Sequence, residues 1–174
     1  LSIAPNASSS VLLGTSPSIE PVSANIFTHK TLSGSWTVKN KYLDKYINES
    51  YHEEDRAAVW KSVLEHEGSV QHLDELYEHT KEVFKTAFEI DQRWVVSHAA
   101  DRQQYICQSQ SLNLFLEPDV PVEYAHSLIL QGWKRGVKTF YYQRTKASRR
   151  AEMVGTKVQR QYIVDNGECL SCEG

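Results

Sequence analysis

Three stretches of this chain carry residue types that can do chemistry at the spacing they have. The first is the adjacent pair Tyr141 and Tyr142, inside Val137-Lys138-Thr139-Phe140-Tyr141-Tyr142-Gln143. A phenol can lose an electron and its proton together, and with a pKa of about 10 it is protonated at rest. Two neighbouring rings allow two short hops in place of one long one. The same pair suits a strand that fills a core, because aromatic residues are common in strands. The second stretch is Cys169-Leu170-Ser171-Cys172. A Cys-x-x-Cys pair can close to a disulfide and can lower one thiol's pKa, which makes it an electron carrier. The rival reading is half of a zinc site, but one such pair with no His pair beside it falls short of four ligands. The third is Pro5-Asn6-Ala7-Ser8-Ser9. Its small residues leave backbone N–H groups accessible, and Ser8 and Ser9 add hydroxyl donors. The same composition suits a flexible linker.

The elements that must position these groups belong to an ordinary globular protein. The 174 residues are one domain's worth and are 40% hydrophobic and 24% charged, the balance of a soluble chain. A net charge of -3 leaves no global basic surface for nucleic acid. Apolar runs are far shorter than the roughly 20 residues a membrane helix needs, and no secretory signal is visible. The expectation is a cytoplasmic protein with neither nucleic acid nor membrane as partner. Three cysteines do not make a disulfide framework. The chain starts at Leu1 and its only methionine is Met153, which points to a processed product, a fragment or one piece of a divided protein.

Along the chain, residues 1–24 have turn composition, with Val11-Leu12-Leu13 expected as a short buried element. Apolar residues at Ile19, Ile26 and Phe27 are too dense for a solvated tether. Tyr42, Leu43, Tyr46 and Ile47 have helical spacing behind Asn40 as N-cap. Val59, Trp60, Val63 and Leu64 form a second helical stripe that stops at Gly68. From 72 to 101 apolar residues recur at three- and four-residue steps, which predicts one long helix or two in line, with Asp91 capping the second. Ser111-Leu112-Asn113-Leu114-Phe115-Leu116 reads as a buried parallel strand. Pro121 opens a helix through Leu128 to Trp133, and a second strand is expected from Val137 to about Tyr142. Strand, helix and strand at this spacing make a crossover unit of an α/β protein. Beyond Gln143 the composition is charged and polar, which predicts a mobile tail. Cys107 is expected as a buried, inert thiol.

Three separated stretches together resemble one family. They are Ala4-Pro5-Asn6-Ala7-Ser8-Ser9-Ser10 followed by Ser18-Ile19-Glu20-Pro21, then Gln108-Ser109-Gln110-Ser111-Leu112-Asn113, then Lys138-Thr139-Phe140-Tyr141-Tyr142-Gln143 with a C-terminal Cys-x-x-Cys. In this order they resemble the C-terminal portion of the large (α) subunit of class I ribonucleoside-diphosphate reductase. The resemblance implies an α/β fold: residues 1–143 as the C-terminal part of a ten-stranded α/β barrel, and 144–174 as a flexible redox tail. It implies that Pro5, Asn6, Ala7, Ser8 and Ser9 cradle the substrate diphosphate and that Tyr141 and Tyr142 pass an oxidising equivalent. It also implies that Cys169 and Cys172 are a shuttle dithiol reduced by thioredoxin or glutaredoxin. An arginine that some members carry after Ile-Glu-Pro is absent at Val22-Ser23, and Lys30 is the stand-in.

The resemblance places the thiyl-forming cysteine, the carboxylate base and the allosteric region upstream of everything matched here. The chain is then an incomplete catalyst of ribonucleoside diphosphate reduction. Its expected partners are the N-terminal remainder of the large subunit and a small subunit that holds the radical metallocofactor. The segment itself binds no metal or cofactor. The alternative is a non-catalytic fragment that docks on the small subunit or on the rest of the large one. The tail has the reach its role needs: from Tyr142 to Cys169 a flexible linker spans roughly 28 Å root-mean-square and at most about 90–97 Å. A partial barrel alone leaves strand edges and apolar helix faces uncovered, so poor stability or oligomerisation is expected without the complement.

Overall fold

The computed structural model describes residues 1–31 and 34–146. Cys169 and Cys172 lie outside the described residues, as does all of the tail beyond Lys146. A short helix, α1 (Ala7–Leu13), is followed by an antiparallel hairpin, β1 (Ile26–Thr31) and β2 (Gly34–Lys39), which pairs Ile26 with Lys39 and Thr31 with Gly34. Three helices follow, α2 (Lys41–Ser50), α3 (Glu53–Glu65) and α4 (Glu78–Val83), then a single 3-10 turn (Ala87–Glu89) and α5 (Gln92–Gln103). Strand β3 (Leu114–Leu116), helix α6 (Val122–Lys134) and strand β4 (Gln143–Thr145) complete the order, with β3 and β4 parallel.

Local chemistry sets most of these boundaries. The Asn40 side chain accepts the Tyr42 and Leu43 N–H groups and starts α2. Asp91 does the same for α5 through the Arg93 N–H. After α3 the chain reverses at Gly68, at φ 84°, where an added Cβ would stand 2.6 Å from the Ala24 Cβ and 2.8 Å from the Asn25 nitrogen. Only glycine meets both the left-handed backbone and that close approach. Asn25, almost fully buried, donates to the Gly68 and Phe84 carbonyls and accepts from the Asn40 amide, tying the hairpin to three other segments.

Two apolar clusters form the core. One joins Ile26 to Leu43 and Ile47 of α2, Val59, Trp60 and Val63 of α3, and Val70, Leu73 and Leu76. The other joins Val95, Val96, Ala99 and Ala100 of α5 to Leu112, Leu114, Leu116, Leu128 of α6 and Val137. Each fully buried aliphatic chain in them contributes about 1.5–3 kcal/mol relative to exposure.

Four expectations are corrected. Val11, Leu12 and Leu13 are not a buried element: they end α1 and are exposed, and only Ser10 of that helix is buried. The segment 72–101 is not one long helix: of the two expected in line, the second is α5 with Asp91 as its cap, while the first shrinks to α4, Glu78–Val83. Val70, Leu73 and Leu76 are buried on successive turns, in which Leu73 donates to Val70 and Leu76 to Leu73. A chain of such turns gives the same three-residue apolar step as a helix. A capping box between Thr86 and Glu89 then restarts the backbone before α5. Residues 137–142 are not regular strand, and the strand begins at Gln143. Cys107 lies at the surface rather than in the core, because the chain turns outward past Tyr105 after α5.

Candidate functional site

The site is organised on the segment 109–116, of which β3 is the last part. On one edge, Ile3 N–H donates to the Ser109 carbonyl at 3.3 Å and Ser111 N–H to the Ile3 carbonyl at 2.8 Å, so Ile3 runs parallel to Gln110. On the other edge, Tyr141 N–H donates to the Leu112 carbonyl at 2.8 Å and Leu114 N–H to the Tyr142 carbonyl at 2.9 Å. Residues 109 and 111 bond to one side and 112 and 114 to the other, the alternation of one continuous extended strand. Leu112, Leu114 and Leu116 point to α5 and α6. Ser111, Asn113 and Phe115 therefore take the opposite face, and Phe115 meets Phe88 edge-on at 5.2 Å.

The segment that begins at Ala4 leaves this strand from Ile3. Asn6 precedes α1 without capping it through its side chain, and its N–H donates to the Pro17 carbonyl at 3.1 Å. Pro5 and Asn6 thus form the approach to α1, while Ala7, Ser8 and Ser9 are its first turn and not a loop. The N–H groups of Ala7, Ser8 and Ser9 have no intrahelical carbonyl to bond. All five residues are exposed. Lys30 lies in β1, opposite Ser35, and its side chain is outside the described atoms.

Tyr141 and Tyr142 lie against the other edge of the same strand, just before β4. Side chains of neighbouring residues in a regular strand point to opposite faces. Here the backbone is irregular at the pair, and the two rings are in contact, with centroids 4.1 Å apart and planes tilted by 52°. Both residues are about half exposed, Tyr141 at 49% and Tyr142 at 51%, so neither fills the core. Hydrogen bonding to the Tyr142 phenol, with repulsion from it, pushes the Tyr141 pKa above the ordinary tyrosine value. Tyr141 is therefore a neutral phenol at physiological pH, with a proton to give up when an electron leaves.

Arg144 is a site residue that the sequence reading assigned to the tail. Its guanidinium carbon is 5.4 Å from the Tyr142 ring centroid, a cation–π contact. A cation at that position discourages a positive charge on the ring and favours departure of the proton with the electron. Its position two residues after Tyr142 was the available signal.

Phe140 anchors the pair from behind by packing on α6 at Gly132. A Cβ at Gly132 would stand 2.3 Å from Phe140 Cζ. Gly132→Ala is therefore expected to displace Phe140. Overpacking of this kind costs about 1–3 kcal/mol, against a helix-propensity gain of at most about 1 kcal/mol. Denaturant unfolding of the chain should show a net loss, accompanied by a change in the tyrosine ring contact.

Among the described residues, no group of three or more His, Cys, Asp or Glu side chains is placed to hold a metal ion. No helix among them is long and apolar enough to cross a membrane.

Comparison with known proteins agrees with this architecture. The family model described as "Ribonucleotide reductase, barrel domain" matches residues 1–143. The chain is 47% identical over 159 residues to the ribonucleoside-diphosphate reductase large subunit of Invertebrate iridescent virus 6, which covers 90% of this chain and 17% of that protein. It is 43% identical over 174 residues to the large subunit of Invertebrate iridescent virus 3, covering 99% of this chain and 28% of the relative. Among solved structures, the class Id ribonucleotide reductase alpha subunit of Actinobacillus ureae superposes with a TM-score of 0.71 at 40% identity, covering 84% of this chain and 26% of that one. The chain thus spans less than a third of the length of each of these relatives. It belongs to the ribonucleotide reductase large-subunit family, and residues 1–143 are of its barrel domain.

Proposed function

We propose that this chain works as one segment of a ribonucleoside-diphosphate reductase large subunit. It supplies the radical relay, the grip on the substrate diphosphate and the reducing dithiol. The observation that carries the reading is the contact between the Tyr141 and Tyr142 rings at 4.1 Å, on a strand whose other edge leads into Pro5–Ser9. A relay needs neighbouring oxidisable groups close to the substrate, and one strand here serves both stretches.

In this reading an oxidising equivalent from a metallocofactor in the small subunit reaches Tyr142 and Tyr141 and passes to a cysteine of the remaining part of the large subunit. That thiyl removes the 3′-hydrogen of a ribonucleoside diphosphate. The 2′-hydroxyl leaves as water, and a dithiol gives two electrons and two protons as it closes to a disulfide. The radical then returns along the same path. Cys169 and Cys172 reopen the disulfide by exchange, becoming oxidised themselves, and a thioredoxin or glutaredoxin reduces them. The N–H groups of Ala7, Ser8 and Ser9, with the serine hydroxyls, face the diphosphate, and Pro5 and Asn6 set the approach. Lys30 stands in for the arginine that would neutralise it.

The test is reconstitution. This chain, the N-terminal remainder of a large subunit and a small subunit are assayed for deoxynucleotide formation together and with each one omitted. Product is expected only from the three-component mixture. A three-component mixture that binds together but makes no product would instead favour a non-catalytic docking fragment.

A further inference from the structure

We propose that Glu20 is the positioning residue of the Pro5–Ser9 segment, holding it in register with the tyrosine pair by pinning its return to the central strand. The proposal rests on the reading of that segment as the phosphate grip. Glu20 is 5% exposed and Asn113 is 8% exposed. One Glu20 carboxylate oxygen, Oε1, accepts the Asn113 backbone N–H at 3.3 Å and also the Asn113 side-chain amide. The strand alternation places that N–H on the edge that carries Ile3. The excursion from Ala4 to Ile19 therefore has both feet on one edge, Ile3 beside Gln110 and Glu20 at Asn113.

Between its feet the excursion has little else to hold it. Of α1 only Ser10 is buried, while Val11, Leu12 and Leu13 are exposed. Among the described residues, its other hydrogen-bonded ties are the Asn6–Pro17 backbone bond and a bond from Lys41 Nζ to the Gly14 carbonyl at 3.1 Å. Among the described residues, the second Glu20 oxygen, Oε2, is buried with no hydrogen-bond partner, as are Asn113 Oδ1 and Ser111 Oγ. Ser111 and Asn113 share a face of the strand. Unpaired polar atoms at this depth are costly, and a glutamine at position 20 keeps a side-chain oxygen to accept the Asn113 N–H. The pin is thus an acceptor geometry, which glutamine can reproduce and alanine cannot.

Two readouts test it. In the 174-residue chain, Glu20→Ala is expected to speed amide exchange at Asn6, Ser10 and Thr15 by about tenfold or more while Val96 and Leu128 stay at wild-type rates. In the three-component mixture, Glu20→Ala is expected to raise KM for the nucleoside diphosphate about tenfold with kcat held within about threefold. Glu20→Gln should leave both readouts near wild type. Unchanged exchange at Ser10 and Thr15 in Glu20→Ala overturns the proposal, and so does loss of protection that extends equally through α5 and α6. Faster exchange confined to 6–15 with KM unchanged keeps Glu20 as the pin and removes the phosphate reading of the segment instead.

Discussion

Tyr142→Phe, in the enzyme assembled from this chain, the rest of the large subunit and a small subunit, is expected to lower deoxynucleotide formation by on the order of a thousandfold or more, equivalent to about 4 kcal/mol of barrier. The substitution removes one hydroxyl and keeps the ring. Tyr142 is half exposed, so the folding cost of losing that hydroxyl stays within about 1 kcal/mol. A phenyl ring has no acidic proton to release with the electron, so the same small change closes the relay. The two magnitudes separate the readings. If the pair were packing alone, activity would follow stability and fall by no more than severalfold. Tyr141→Phe should behave alike, because the rings are in contact and, in the proposed relay, act in series. Binding of the nucleotide and of the small subunit should be unchanged in both variants.

Cys169→Ser and Cys172→Ser are expected to fail differently. On the proposed mechanism, the first turnover draws its two electrons from a dithiol elsewhere in the large subunit. Each variant should therefore form a burst of product and then stop when thioredoxin or glutaredoxin is the reductant. A small dithiol that enters the site directly should restore continued turnover. The relay variants, by contrast, should give no burst under either reductant. The comparison is made by following product at early times at high enzyme concentration. Continued turnover of both serine variants with thioredoxin would remove these cysteines from the shuttle role. Retention of activity with loss of bound zinc would point to the half-site reading.

Much of the framework was legible because it depends on local chemistry. Asn40 and Asp91 are short polar side chains at the head of helical stripes, and both cap through their side chains. Gly68 marks a reversal that only glycine adopts comfortably, and Pro121 does precede a helix. The run from Ser111 to Leu116 is buried throughout, as its near-continuous apolar pattern predicted. What was not legible depended on partners far away in the chain. Glu20 and Asn113 meet across 93 positions, and no periodicity carries that information. The apolar step of three in 70–76 fits consecutive turns as well as helix, while the capping box at Thr86 and Glu89 was a legible sign of a fresh start before α5. For the tyrosines, strand propensity placed the pair inside a strand. Phe140, seated on Gly132, instead belongs to an irregular passage that lets both rings lie side by side.

The most direct test of the relay is to find the radical on it. An aminotyrosine, whose amino group makes the phenol easier to oxidise, is placed at position 142 in the three-component mixture. The sample is frozen during turnover and read by electron paramagnetic resonance. An organic radical is expected on the analogue, formed only when substrate, small subunit and both parts of the large subunit are present. A mixture that makes deoxynucleotide at the normal rate with no radical at position 142 would contradict the relay.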